Sequence, residues 1–288
     1  MPDFPCIGGG GNILNIPMPE LPEVETTRRG IETTVTGRRI ERLIVRDRRL
    51  RWPIAPGLEE LLAGQKIERV GRRAKYLLIH CQGGALILHL GMSGSLRVLE
   101  AATPLIKHDH FDLLLDSGRC LRFNDPRRFG SLHWTDEDPN RHKLLRRIGP
   151  EPLGDGFDGE YLHATSRGRK VALKNFLMNS QVVVGVGNIY ASESLFRARL
   201  RPGRQAASLT HVEARRLTRA IKTVLGSAIR VGGTTLRDYV GADGSPGYFR
   251  QKLYVYERDG KPCRVCRRPI RKVTHGQRST FYCPSCQH

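Results

Sequence analysis

The chain has 288 residues, a formal charge of +20 at pH 7 and a pI of about 10.3. This length suffices for two domains, and the surplus of cations favours a polyanionic partner, nucleic acid first, although a generally basic proteome or a ribosome-associated structural protein would show the same composition. No stretch approaches the roughly 20 apolar residues of a membrane span, so we expect no membrane association. The first 17 residues contain no lysine or arginine, unlike a secretory signal, which favours a cytoplasmic protein.

Residues 18–26, with the sequence MPELPEVET, carry the signals of a helix start. Pro22 is favoured in the first turn of a helix, and the glutamates after it are stabilised by the positive end of the helix dipole. Apolar residues then recur on one helical face, namely Val24, Ile31 and Val35. We therefore predict a helix that begins at about Pro22 and ends before Gly37.

The same segment offers a nucleophile if the chain starts at Met18. Removal of that methionine would leave Pro19 with a free secondary amine, whose pKa of about 7.7 to 8.0 gives a useful unprotonated fraction at neutral pH. Such an amine can attack a sugar C1′ to form an iminium ion, the electron sink that later eliminations need, and Glu20 beside it can transfer protons. An internal Pro19 would be an amide without this chemistry. We therefore expect residues 1–17 to be a non-native extension from a misassigned start, with proteolytic trimming and an inactive variant as alternatives.

From about residue 38 to residue 134 the apolar pattern consists of short segments separated by turn residues. The clearest turns are QGG at residues 82–84 and DSG at residues 116–118. Evenly spaced short strands favour a sandwich or barrel over alternating β-α units. We predict strands at residues 76–80, 85–90, 96–99, 111–115, 120–123 and 131–134.

Three stretches of this β-rich region could carry chemistry, and each also has a plain structural interpretation. Lys75 enters an apolar strand from GRRAKYLL at residues 71–78, as strand-edge lysines do. KHDH at residues 107–110 could bind a metal if it is a loop, but on a strand Asp109 would face away from the histidines and supply no third ligand. NDPRRFG at residues 124–130 fits a turn with surface arginines, or a wedge with cations of the kind that base-flipping enzymes use.

A polar, proline-rich region around residues 135–159 predicts a linker to a second, helical domain. VGVGNIYASE at residues 184–193 is a glycine-rich entry into a helix and predicts Asn188 as its N-cap, while the free amides of such a helix start could also bind a phosphate. Glycines between residues 232 and 249 exclude a regular element there, which fits a flexible linker.

A capping box at Thr210 and Glu213 predicts the start of a second long helix. Its apolar stripe is predicted to consist of Val212, Leu217, Ile221, Val224 and Leu225.

Four cysteines near the C-terminus have the spacing of a zinc site, and they are Cys263, Cys266, Cys283 and Cys286. Each Cys-x-x-Cys pair places two thiolates at one tetrahedral edge, and four protein ligands close the shell, so we predict one structural zinc ion on a β-hairpin. A redox pair is the alternative. Cys6, Cys81 and Cys120 are scattered and form no disulfide framework.

Taken in this order, the motifs resemble the formamidopyrimidine-DNA glycosylase family, bacterial enzymes that remove 8-oxoguanine and ring-opened purines. The resemblance begins at Met18 and extends to the C-terminus. It implies an α+β fold, with an N-terminal β-sandwich and packed N-terminal helix, a helix-two-turn-helix domain and a four-cysteine zinc-finger hairpin. We expect these parts to span residues 18–148, 149–250 and 251–288.

The resemblance implies catalytic roles at four positions. Pro19 matches the nucleophile and Glu20 the proton-transfer group. Lys75 matches a lysine that contacts the phosphate beside the lesion and assists β-elimination. Arg278, in QRSTFYC at residues 277–283, matches the arginine that assists δ-elimination.

The resemblance also implies DNA contacts for His108, Arg127, Arg169, Asn188, Met92 and Phe129. Three of them, Met92, Arg127 and Phe129, match residues that fill the gap left by the flipped nucleotide. Arg169 departs from the family, which commonly has lysine there, so the charge is kept without the same donor geometry. Residues 232–249 match the loop that closes over the extruded base, with Thr234, Thr235 and Tyr239 as contacts.

We therefore predict a monomeric, bifunctional DNA glycosylase and AP lyase of base excision repair that acts on damaged double-stranded DNA and holds one zinc ion. It needs no redox cofactor, and its catalytic step needs no metal. Two alternatives remain open. The related endonuclease VIII type prefers oxidised pyrimidines, whereas residues 20–23 and the loop at 124–130 favour the purine type. A non-catalytic zinc-ribbon DNA-binding protein fits the composition and the cysteines, but it does not explain Pro19, Glu20 and Lys75 together unless the extension persists.

Overall fold

The computed structural model describes residues 19–232 and 253–288, and all structural statements refer to these residues. The extension at residues 1–17, with Cys6, and Met18 lie outside the described residues. The three loop contacts predicted at Thr234, Thr235 and Tyr239 also lie outside them. None of the described helices is long and apolar enough to cross a membrane.

The first half of the chain forms two antiparallel four-stranded sheets with two helices. The helices are α1 (Leu21–Val35) and α2 (Leu58–Leu62). The strands are β1 (Ile40–Val45), β2 (Ile67–Arg73), β3 (Tyr76–Cys81), β4 (Gly84–His89), β5 (Ser95–Glu100), β6 (Asp109–Leu115), β7 (Arg119–Asn124) and β8 (Ser131–Thr135). One sheet has the order β1-β6-β7-β5 and the other β2-β3-β4-β8. The inner faces of both sheets share one apolar core with α1, so the predicted sandwich with a packed N-terminal helix is confirmed.

All strands predicted in this region are present, with bounds within two residues of those expected. Helix α1 starts one residue earlier than predicted, and Val24, Ile31 and Val35 are all fully buried on its inner face. Strands β1 and β2 were not predicted. Their sequences, IERLIV and IERVGRR, place charged residues between the buried positions, so no continuous apolar run marks them.

The second half is helical and ends in a hairpin. It contains α3 (Gly159–Ser166), α4 (Leu173–Met178), α5 (Asn188–Arg197), α6 (His211–Arg230), β9 (Arg271–His275) and β10 (Arg278–Tyr282). The capping box at Thr210 and Glu213 is present at the start of α6. One predicted stripe position was wrong, because Val212 lies in the first turn and is 72% exposed, whereas Leu217, Ile221 and Leu225 are buried.

The region predicted as a linker packs against the sandwich. Leu145 is buried against Leu78 and Ile87, which lie on the two middle strands of the second sheet. A short 3₁₀ helix, Pro139–Arg141, precedes it. This contact fixes the entry of the chain into the helical half, while the residue limits of the domains stay predictions.

Candidate active site and nucleic-acid interface

Glu20 joins the two halves of the molecule at the start of α1. Its carboxylate accepts the backbone N–H of Gly187 at 2.7 Å and of Ile189 at 2.9 Å, at the N-terminus of α5. Its own backbone N–H donates to the Glu23 carboxylate at 2.9 Å. A helix N-terminus binds anions through its free amides and its dipole, so this glutamate is held rigidly. Pro19 is buried directly before it.

The electrostatics of this site bring together three of the residues predicted to be catalytic. Burial raises the pKa of Glu20 to about 7, and the Lys75 ammonium partly opposes that rise. Burial likewise lowers the pKa of Lys75, while Glu20 and Glu23 oppose the change and Arg278 adds to it. An acid and a base with their pKa values moved towards neutrality are typical of catalytic sites.

The glycines of the VGVGN motif allow the two halves to approach each other. A Cβ at Gly187 would lie 2.3 Å from the Cδ of Glu20, and one at Gly185, whose φ is +77°, would lie 2.5 Å from a methyl carbon of Leu21. The amides that suggested a phosphate site therefore hold a glutamate of the chain itself.

Asn188 is not the N-cap of α5, which corrects the sequence-based expectation. The cap residue is Gly187 and Asn188 is the first helical residue. Its Nδ2 donates to the hydroxyl of Tyr256 at 3.5 Å, and its buried Oδ1 has no hydrogen-bond partner in the described part of the chain.

Lys75 lies on a two-residue turn that is held by hydrogen bonds to Glu151, a residue of the region predicted as a linker. Arg73 pairs with Tyr76, so Ala74 and Lys75 form the turn between β2 and β3. Ala74 has a φ of +56°, a left-handed conformation that is uncommon for residues other than glycine. Its N–H donates at 2.7 Å to Glu151, which also accepts from Arg73 at 3.0 Å. Glu151 therefore fixes the turn that carries the lysine.

Lys174, which sequence reasoning missed, holds the C-terminal hairpin against α4. Its side chain is fully buried, and its ammonium donates to Ser279 O at 2.8 Å and to Thr280 Oγ1 at 2.9 Å. Burial lowers the pKa of Lys174 to about 7, with a further lowering from Arg278 and an opposing effect of Glu20. The only sequence signal was a lysine inside the apolar segment LKNFLM.

Met92, Arg127 and Phe129 come from two loops that lie against each other. The guanidinium of Arg127 lies 5.3 Å from the ring centroid of Phe129, and that ring is 41% exposed. A Cβ at Gly91 would lie 2.4 Å from the backbone N of Gly130, so the loops meet backbone to backbone. Exposed cationic and aromatic side chains on tightly packed loops suit a wedge that enters a base stack.

His108 is half-buried and ends the neighbouring loop with a φ of +73°. The metal alternative for this segment finds no support. The Asp109 carboxylate accepts the N–H of Ile106 at 2.9 Å, and the Nε2 of His110 bonds the carbonyl of Asp125 at 2.8 Å. Arg169 lies on an exposed loop after α3.

Within the described ranges, the four C-terminal cysteines are the only cluster of at least three His, Cys, Asp or Glu residues that could hold a metal ion, and their ligand atoms lie within 4.8 Å of one another. The Sγ atoms of Cys266 and Cys283 are 3.4 Å apart, and those of Cys263 and Cys286 are 4.0 Å apart. A tetrahedral zinc with Zn–S bonds of about 2.3 Å needs S–S edges of about 3.8 Å, so the thiols fit that ion.

Two cysteines outside this cluster, Cys81 and Cys120, are buried in the sandwich half. Burial raises the pKa of Cys81 to about 12 and also raises that of Cys120. Both thiols are therefore poor nucleophiles.

Family profiles match most of the chain. Residues 18–132 match the formamidopyrimidine-DNA glycosylase N-terminal domain, and residues 148–240 match its helix-two-turn-helix (H2TH) domain. Residues 260–288 match a zinc finger found in FPG and IleRS.

Curated relatives and solved structures agree with these profiles. The formamidopyrimidine-DNA glycosylase of Thioalkalivibrio sulfidiphilus is 60% identical over 270 residues, which is 94% of this chain and 100% of the relative. That of Stutzerimonas stutzeri is 57% identical over the same shares of both chains.

Among solved structures, the MutM (FPG) protein from Thermus thermophilus has a TM-score of 0.83 and 43% identity, covering 93% of this chain and 98% of that one. A Lactococcus lactis FPG mutant in complex with Fapy-dG containing DNA has a TM-score of 0.86 and 32% identity, covering 94% and 100%. Because the profiles, the relatives and the structures agree over nearly the whole chain, this protein belongs to the formamidopyrimidine-DNA glycosylase family, the DNA glycosylases of base excision repair.

Proposed function

We propose that this protein is a bifunctional DNA glycosylase and AP lyase that removes 8-oxoguanine and ring-opened purines from double-stranded DNA. The observation that carries the proposal is the buried Glu20 carboxylate next to Pro19, held by the amides of α5 in one electrostatic environment with Lys75 and Arg278. Lactococcus lactis relatives solved with Fapy-dG and with abasic-site DNA support this substrate class.

The reaction begins with the Pro19 amine, which must be free, so the active chain is one without residues 1–18. The positive end of α1 favours the unprotonated amine. Its nitrogen attacks C1′, the N–C1′ bond forms and the glycosidic bond breaks, so that the base leaves with the glycosidic electron pair and takes up the proton that the Pro19 nitrogen loses. Glu20, whose pKa of about 7 keeps a protonated fraction at neutral pH, donates a proton to the sugar ring oxygen as the ring opens.

The resulting iminium then drives strand cleavage. Loss of a proton from C2′ expels the 3′ phosphate in a β-elimination, and a second elimination expels the 5′ phosphate. Lys75 contacts the phosphate beside the lesion and assists the first elimination, and Arg278 on the hairpin assists the second. A one-nucleotide gap with phosphates at both ends remains.

DNA binding uses cations on both halves of the molecule. Met92, Arg127 and Phe129 fill the space of the flipped nucleotide, while His108, Arg169 and Asn188 hold the backbone. A structural zinc bound by Cys263, Cys266, Cys283 and Cys286 maintains the hairpin that carries Arg278. The chain acts as a monomer with parts at residues 18–148, 149–250 and 251–288.

Borohydride trapping on a duplex that contains 8-oxoguanine tests the proposal. Protein that starts at Pro19 is compared with protein whose preceding residues cannot be removed, and the adduct is mapped by peptide analysis. An adduct on Pro19 in the short form alone is expected. Tight DNA binding by the short form without any adduct or base release would instead support a binding module.

A further inference from the structure

We infer that Asp125 is the positioning residue that holds the three DNA-contacting loops of the sandwich half in one arrangement. The inference rests on the proposed function, since it concerns how the wedge is presented to the duplex. Asp125 follows β7 directly and is fully buried, although its neighbours Pro126 and Arg127 are exposed. A buried carboxylate requires hydrogen-bond donors, and the donors to Asp125 lie on more than one loop.

The carboxylate ties the two wedge loops together. One oxygen accepts the hydroxyl of Ser93 at 2.7 Å, and Ser93 is the residue after Met92. The same oxygen accepts the N–H of Arg127 at 3.3 Å, and the other accepts the N–H of Gly130 at 2.8 Å. The loop that carries Met92 and the loop that carries Arg127 and Phe129 are therefore hydrogen-bonded to one side chain.

The backbone of Asp125 holds the third loop. Its N–H donates to the carbonyl of His108 at 3.1 Å, and its own carbonyl bonds the Nε2 of His110 at 2.8 Å. His108 adopts a left-handed φ of +73°, a conformation that costs free energy for a histidine and needs fixed neighbours to persist. Asp125 supplies one of them.

A carboxylate suits this position better than an amide. The Ser93 hydroxyl donates to one carboxylate oxygen and the N–H of Gly130 to the other, while the N–H of Arg127 is shared between the first oxygen at 3.3 Å and the Ser93 hydroxyl oxygen at 3.2 Å. A carboxylate offers an acceptor to both the Ser93 hydroxyl and the Gly130 N–H, whereas an asparagine has only one acceptor oxygen, so one of these two donors would lose its acceptor. A buried unsatisfied donor is costly, so the loops would shift or loosen.

The consequence for function is that Asp125 preorganises the wedge loops before DNA binds. The wedge enters DNA only if its side chains already stand where the vacated stack will be, because ordering them during the reaction raises the barrier. Asp125 touches neither substrate nor reacting atoms in this scheme. It acts through Met92, Arg127, Phe129 and His108.

The test compares Asp125→Ala and Asp125→Asn with Asp116→Asn, which removes the same charge at an exposed turn where the carboxylate accepts a single backbone N–H. Two single-turnover rates are measured for each protein: release of 8-oxoguanine from a duplex, and cleavage of a duplex with a preformed abasic site, where no base has to leave the stack. Fluorescence of 2-aminopurine next to the lesion reports how the gap is filled.

We expect Asp125→Ala to slow base release about tenfold or more, because the side chains that enter the base stack would be misplaced. Cleavage of the abasic site should change less than about threefold. Asp125→Asn should lie between Asp125→Ala and wild type, Asp116→Asn should match wild type, and the fluorescence change should shrink in the same order. If Asp125→Ala is unstable, Asp125→Asn and Ser93→Ala provide the same comparison.

Equal loss of both rates would overturn the inference, because it would indicate a general structural role. Unchanged rates in both Asp125 variants would also overturn it. If the wild-type protein that starts at Pro19 releases no base and cleaves no abasic site, the proposed function fails and this inference falls with it.

Discussion

Gly187→Ala isolates the contact between the two halves of the active site. The backbone of Gly187 has a φ of −110° and a ψ of −156°, which alanine adopts without strain. The new methyl carbon would instead lie 2.3 Å from the Cδ and 2.5 Å from the Oε1 of Glu20. Since two non-bonded heavy atoms cannot approach so closely, the carboxylate must leave the N-terminus of α5.

The cost follows from the hydrogen bonds that are lost. The bonds from Gly187 at 2.7 Å and from Ile189 at 2.9 Å are the short ones, and a hydrogen bond to a charged group contributes about 1.5–3 kcal/mol. Losing both bonds costs at most about 3–6 kcal/mol, and new hydrogen bonds between the carboxylate and water offset part of this loss. A loss of about 3 kcal/mol in the transition state corresponds to a rate reduction of about a hundredfold.

The assay is single-turnover release of 8-oxoguanine at pH 8, above the Glu20 pKa of about 7, with denaturant unfolding in parallel. The matched control is Gly156→Ala, because a Cβ there would meet only a carbon of Pro150 at 4.0 Å. We expect the control to behave like wild type. Gly187→Ala should release base about a hundredfold more slowly and unfold more easily.

A double mutant tests whether Gly187 acts through Glu20. If it does, Gly187→Ala should change the residual rate of a Glu20→Gln protein by less than about threefold, because the displaced group is already impaired. A Gly187→Ala protein with wild-type rate and stability would refute the geometric argument. Additive losses in the double mutant would show that the glycine serves another contact.

Three further outcomes are expected. Because the pKa of Glu20 is raised from 4.5 to about 7, the folded protein binds more protons than the unfolded chain between these values, so the free energy of unfolding should fall as the pH rises through this window. Unfolding measurements at pH 5 and pH 8 should show that Glu20→Gln reduces this fall by about 2.5 kcal/mol. Glu151→Gln weakens the clamp on the Lys75 turn, so cleavage of a preformed abasic site should slow about tenfold while base release changes less. A zinc chelator should release one ion per chain and weaken DNA binding at least about tenfold, and zinc should restore binding in a titration.

Sequence patterns of short range predicted most of the fold. Helix α1, the capping box at Thr210 and the apolar strands depend on residues within a few positions of one another, and the cysteine spacing alone indicated the zinc cluster. The same locality explains the errors. Val212 continues a helical stripe in the sequence, but the first turn of α6 projects beyond the core, and tertiary packing decides which stripe positions are covered.

The candidate site is built from contacts between residues far apart in the sequence, which short-range sequence patterns do not predict. The Glu20 carboxylate meets an amide 167 positions away, and the Lys174 ammonium meets a carbonyl 105 positions away. Glu151 likewise accepts the N–H of Ala74, 77 positions away, and Asp125 accepts the hydroxyl of Ser93, 32 positions away. Any aspartate or glutamate in a loop could have had such a role. Resemblance to a family indicated the residues that are proposed to carry the chemistry, whereas only the structure identified the residues in contact with them.

These long-range contacts make the protonation states of the site depend on its assembly. Burial between the two halves is the largest cause of the raised pKa of Glu20 and of the lowered pKa of Lys75. If the halves separated, water would lower the pKa of Glu20 and raise that of Lys75 towards the values of free side chains, so Glu20 would be ionised at neutral pH. Under the proposed mechanism, Glu20 and Lys75 have these shifted pKa values only while the two halves are docked at α1 and α5, so separation of the halves should abolish base excision.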